Sequence, residues 1–169
     1  MNSIFKRKSI REFQEKDVED EKIERILKAG MQSPSAHNSQ PWEFLVIKNK
    51  NSLKEISSMS PYAKLASKAN TLIVVLGNLN KINDKKTEMW FMQDLSACTE
   101  NILLQIVEED LGGVWLGFYP EEERTNKFID YFKLPEHIIP FSVIALGYPL
   151  NDYKAEDRFD KKRIHYENY

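Results

Sequence analysis

Ser33-Pro34-Ser35-Ala36-His37-Asn38-Ser39-Gln40-Pro41-Trp42 is the stretch on which the reading of this chain turns. Its prolines restrict the backbone around a run of Ser, His, Asn and Gln side chains, so donors and acceptors are gathered in a conformationally fixed loop. Alone, such a run reads as a turn. Trp42 leads directly into Phe44-Leu45-Val46-Ile47, however, a run of large apolar residues that predicts a strand buried on both faces.

Upstream, Arg7-Lys8-Ser9-Ile10-Arg11 sets three cations around a hydroxyl. On a helix, positions 7 and 11 share a face, so the pair reads as a clamp that holds one phosphate by charge-assisted hydrogen bonds. A solvated basic helix face is the plain alternative.

The chain has 169 residues, enough for one domain with a sizeable core and too few for separate cofactor and substrate domains. A net charge of -2 argues against nucleic acid as a partner of the bulk surface, and makes the basic ends a local feature. Cys98 is the only cysteine, which excludes an intramolecular disulfide and argues against a cysteine-based zinc site. It falls in line with Leu95, Ile102 and Ile106, the position of a buried apolar residue. No apolar stretch approaches the ~20 residues that span a bilayer, and no cationic start precedes an apolar run; a cytoplasmic protein without membrane partners is expected.

Apolar spacing predicts a short helix from Asn2 to Lys8 and a second one, capped by Asp17 or Asp20, carrying Val18, Ile23, Ile26, Leu27 and Met31. Strands are expected at Thr71–Leu76, Val114–Leu116 and Phe141–Leu146, with the longest helix roughly from Trp90 to Glu109. Residues 49–69 read as short helices. Pro120 with Glu121 to Glu123 starts a helix that runs to about Phe132 and is stopped by Pro135. After Pro149 the chain is polar yet carries Tyr153, Phe159, Ile164, Tyr166 and Tyr169, so this tail is expected to lie on another surface.

In this order, Arg-basic-Ser-x-Arg, a helix, Ser-Pro-Ser-x-x-Asn-x-Gln-Pro-Trp and a strand, the chain resembles the start of the nitroreductase family of flavin-dependent oxidoreductases. Gly112-Gly113-Val114-Trp115-Leu116-Gly117, Ala145-Leu146-Gly147-Tyr148-Pro149 and Lys161-Lys162-Arg163 extend the resemblance over almost the whole chain. It implies an α+β fold, a central mixed but mostly antiparallel sheet flanked by helices. It further implies that residues 1–169 form a single FMN-binding domain whose tail, 152–169, is exchanged across a homodimer. The implied activity is transfer of hydride from NADH or NADPH to a nitroaromatic, quinone or similar acceptor by a ping-pong mechanism. FMN then performs the chemistry, so no protein nucleophile or metal is implied.

Carried over residue by residue, Arg7 and Ser9 match the phosphate end of the site, with Lys8 beside them, and Arg11 matches a basic position near the pyrimidine end of the ring. Pro34, Ser35, Asn38 and Gln40 match a loop that reaches the flavin of the other subunit, where His37 stands close by. Trp115, Leu116 and Gly117 match the segment passing the central ring, and Lys161 and Arg163 match a Lys-x-Arg pair that completes the phosphate site. Trp115 reads equally as a core aromatic. The resemblance has two departures: Ala36 replaces a second serine common in the loop, and the chain lacks the helical insertion that walls the pocket in larger members. Two other readings stay open, a flavin-binding protein for storage or sensing, and a module whose basic ends hold an acidic partner. No nucleotide fingerprint chooses between NADH and NADPH.

Overall fold

The structure, a computed structural model, describes residues 2–82, 89–154 and 156–169. Its centre is a four-stranded sheet of β1 (Trp42–Ile47), β2 (Thr71–Asn78), β3 (Gly112–Gly117) and β4 (Ile138–Gly147), in the order β1-β2-β4-β3. Every pairing is antiparallel, so the mixed character expected for the sheet is confined to one isolated parallel bridge, Ser9 to Gly113. The two central strands are the two longest apolar runs. Alternation sends Leu72, Val74 and Leu76 of β2 to one face and Ile73 and Val75 to the other, and both faces are buried.

On one face lie α2 (Asp20–Met31) and the long α4 (Phe91–Glu108), whose Leu95, Cys98, Ile102 and Ile106 are fully buried with Ile23 and Ile26 of α2. Burial pushes the Cys98 thiol up to about 12, so it stays neutral and acts as an apolar filler, as its place on the stripe implied. The other face is covered by α3 (Lys50–Ser58), the 3-10 segment Pro61–Lys68 and α5 (Glu122–Phe132), around Ile56, Phe118 and Phe128.

Several local expectations are corrected. Phe44 to Ile47 is not buried on both faces: β1 is an edge strand, and Glu43 and Val46 are exposed. The second helix is preceded by Glu19 rather than capped by Asp17 or Asp20. Pro120 lies outside the helix it was expected to open, because Glu121 is the cap residue. The first helix, α1 (Ser3–Lys6), ends before Arg7, so Arg7 and Arg11 do not share a helix face. No described helix is long and apolar enough to cross a membrane.

Candidate functional site

After α1 the chain is extended and meets the outer edge of β3 at Gly113, then passes to residues 148–150 beyond β4. Ser9 bridges Gly113, the Ile10 amide donates to the Gly113 carbonyl at 3.0 Å, and Phe13 bridges Pro149. This approach depends on Gly112: a Cβ there would stand 2.7 Å from the Ile10 side chain. Extended backbone alternates sides, which restores by another route the grouping that a helix was expected to provide. Ile10 packs inward on Gly112, and Lys8 lines a recess of about 600 Å³ with Ile10, Gln14 and Tyr148. By the same alternation Arg7, Ser9 and Arg11 belong to the opposite side, and none of them lines the recess. The Lys8 ammonium donates to the Lys154 carbonyl at 3.1 Å.

Arg7 is half-buried, and its Nε stands 3.3 Å from Glu100 Oε1 on α4. Among the described residues its two Nη groups have no acceptor, so the guanidinium is oriented by a carboxylate yet keeps donors to spend. Arg11 is exposed and donates to the Ser9 carbonyl at 3.3 Å. Lys161 and Arg163 lie on an exposed 3-10 turn of the tail, Arg163 pairing with Asp160 at 3.4 Å. Within one chain no described contact joins them to Arg7 or Ser9.

The Ser33 to Trp42 loop is built on unusual backbone. His37, Asn38 and Gln40 have φ of 53, 55 and 45°, in the left-handed region that non-glycine residues seldom occupy. Bonds within the loop support the shape. The Asn38 amide donates to Ser35 O and the Ser39 amide to Ala36 O, both at 3.0 Å; the Gln40 amide donates to Ser35 Oγ at 3.0 Å. Gln40 Nε2 donates to Asn38 Oδ1 at 2.9 Å, which leaves the Asn38 NH2 as its remaining donor.

Asp94, a residue that sequence reasoning missed, anchors this loop from outside. It is buried in the first turn of α4, and its Oδ1 accepts the Ala36 amide at 3.0 Å, with Ser39 Oγ a longer 3.5 Å from Oδ2. The readable signal was a charge on an apolar stripe: Asp94 shares its face with Phe91, Leu95 and Cys98. Loop and clamp are thus both tied to α4, at Asp94 and Glu100. Six residues of helix separate those two side chains by about 9 Å along the axis and about 120° around it. One chain therefore presents the two elements on different flanks.

At the far end of β3, Gly117 is exposed, and a Cβ built on it meets nothing within 4 Å. Arg124 of α5 donates to the Gly117 carbonyl at 2.6 Å and fixes the strand end. Trp115 is half-buried, 5.9 Å from the Phe141 ring, and Leu116 is buried in the opposite layer. His37 is exposed in the loop.

Comparison with known proteins shows the family of the chain. The model of the nitroreductase family matches residues 4–60 and 57–148. A protein of Archaeoglobus fulgidus named "Putative NADH dehydrogenase/NAD(P)H nitroreductase" is 42% identical over 172 residues, covering 100% of this chain and 98% of its own length. A crystal structure from Clostridium acetobutylicum, called "Putative NADH Oxidase", superposes with a TM-score of 0.94 at 47% identity, covering 99% of this chain and 100% of that one. An "FMN-dependent Nitroreductase" from Clostridium difficile gives a TM-score of 0.89 at 26% identity over 99% of both chains. The chain belongs to the nitroreductase family.

Proposed function

We propose that this protein is an FMN-dependent oxidoreductase that takes hydride from NADH or NADPH and reduces a nitroaromatic, quinone or similar small acceptor by a ping-pong mechanism. The observation that carries the proposal is the pairing of the Arg7 to Arg11 segment with Gly113 at one end of β3, which by backbone alternation sets Arg7, Ser9 and Arg11 on one side, while the strand's other end, Gly117, is open. This donor set suits the ligand. Two guanidinium Nη groups and a hydroxyl match a phosphate dianion, and about 13 Å of strand separates Gly113 from Gly117, a span suited to a ribityl chain with a ring beyond it.

When bound, FMN supplies the two-electron chemistry. The chain's residues then divide into holders and tuners. Arg7 and Ser9 hold the phosphate, and Lys161 and Arg163 complete that site from the tail; Lys8, expected beside them, faces the other side of the segment with its ammonium on the Lys154 carbonyl and adds only longer-range positive charge. Arg11 places a permanent cation at the pyrimidine edge, where negative charge accumulates on reduction, and so raises the reduction potential. The backbone of Trp115, Leu116 and Gly117 borders the ring.

Pro34, Ser35, Asn38 and Gln40 serve the flavin held by the clamp of a second copy. Their attachment to a different flank of α4 supports this division, which makes the active unit a homodimer with sites at its interface. The tail, residues 152–169 of the single domain, is the segment that wraps the partner. In the visible spectrum the purified protein is expected to be yellow, to bleach anaerobically on addition of NADH or NADPH and to regain colour with a nitroaromatic or quinone. A yellow protein that no nicotinamide bleaches would assign it to flavin storage or sensing instead, and a colourless one that FMN does not stain would overturn the proposal.

A further inference from the structure

Asp94 is a buried carboxylate to which the chemistry just proposed gives no part. It is 6% exposed and lies on the core face of α4 between Phe91 and Leu95, a position where the helix pattern calls for an apolar side chain. Burying a carboxylate there is costly unless its oxygens are satisfied. They are satisfied by the loop: Oδ1 by the Ala36 amide, and Oδ2, at longer range, by the Ser39 hydroxyl. The loop needs such support, because three of its non-glycine residues hold positive φ, a strained backbone that persists only where surroundings over-determine it. At its two ends the Ser33 amide donates to the Gly30 carbonyl at 3.2 Å and the Pro41 carbonyl accepts the Asn78 amide at 2.7 Å, but between Ser35 and Gln40 the other described bonds are internal, tying Ser35, Ala36, Asn38, Ser39 and Gln40 to one another.

From this we infer that Asp94 is a positioning residue for cofactor binding: by accepting the Ala36 N–H it docks the strained loop on α4 and holds Ser35 and Asn38 where they reach the flavin of the partner subunit. The role belongs to the acceptor atom rather than to the charge. An asparagine at 94 keeps Oδ1 for the Ala36 amide and can donate its NH2 to the Ser39 hydroxyl, whereas an alanine takes away the acceptor of the half-buried Ala36 amide. The inference rests on the proposed FMN binding.

Three variants of the full chain separate the possibilities. Asp94→Ala and Asp94→Asn act from the helix, and Ala36→Pro acts from the loop. Proline deletes the N–H at the first position of a 3-10 turn, where a proline is tolerated, after a Ser35 whose extended backbone (φ -144°, ψ 152°) suits a following proline. FMN titration followed by flavin absorbance is expected to give dissociation constants raised at least about tenfold for Asp94→Ala and Ala36→Pro, and within about threefold of wild type for Asp94→Asn. Should Asp94→Ala fail to fold, Ala36→Pro and Asp94→Asn decide. FMN affinity unchanged in Ala36→Pro, or lost as fully in Asp94→Asn as in Asp94→Ala, would overturn the inference. A wild-type protein that binds no FMN would instead sink the reading beneath it.

Discussion

Arg7 sets its Nε against Glu100, and among the described residues its two Nη groups have no acceptor, as the proposed phosphate role requires. Arg7→Ala is expected to weaken FMN binding by about 1.5–3 kcal/mol, the worth of a charge-assisted bond, and Arg163→Ala to do the same from the tail, while riboflavin affinity hardly changes in either. Equal losses of FMN and riboflavin, measured by fluorescence titration, would remove the phosphate from the account. A second residue-scale test concerns Glu109. Hydrogen bonds from Arg25 at 2.8 and 2.7 Å hold its carboxyl below the usual range; burial opposes the shift, and Gln105 adds a further bond. A carboxyl lowered by folding contributes stability above its unfolded value, near about 4.3, and loses that contribution as the pH falls through the folded value. Glu109→Gln should therefore cost about 1–2 kcal/mol in urea unfolding at pH 7, and the deficit should shrink below about pH 4. A deficit constant down to acid pH would contradict the assignment.

At the scale of elements, the seam between residues 7–11 and β3 depends on Gly112, where a Cβ would stand 2.7 Å from Ile10. Gly112→Ala should push the segment off the strand, costing about 1–3 kcal/mol of stability and a larger share of FMN affinity than Arg7→Ala, because all three clamp residues move together. Unfolding and FMN titrations on the same preparation check both. The central strands were legible in the sequence because continuous apolar runs such as Thr71 to Leu76 mark burial on two faces, and α4 because its stripe is long. The edge position of β1 was not, since Phe44 to Ile47 has the same local pattern as a central strand and only tertiary order exposes Val46. Nor was the backbone of the clamp: Arg7 to Arg11 is extended because Ser9 and Ile10 pair with Gly113, a partner more than a hundred residues away. Asp94 escaped for a related reason, as its charge on an apolar face makes sense only once Ala36 is seen against it.

The whole molecule leaves its described tail residues from 151 onward exposed, including Tyr153, Phe159, Tyr166 and Tyr169, while Lys161 and Arg163 stay apart from the clamp they are proposed to complete. Deleting the chain from Asp152 is expected to yield protein that is apo and at least partly monomeric by light scattering; a truncated dimer that retains FMN would refute the wrapped tail. In the proposed dimer the clamp of one chain and the loop of another serve one flavin, and mixed dimers distinguish this from a site built within one chain. An Arg7→Ala chain is paired with an Asn38→Asp chain, which sets an anion beside the flavin, and the bound FMN of the isolated heterodimer is counted by absorbance. In the shared arrangement both lesions fall on one site and the other is intact, so about half of the wild-type flavin should be present. A heterodimer with no FMN would mean that loop and clamp serve the flavin from the same chain.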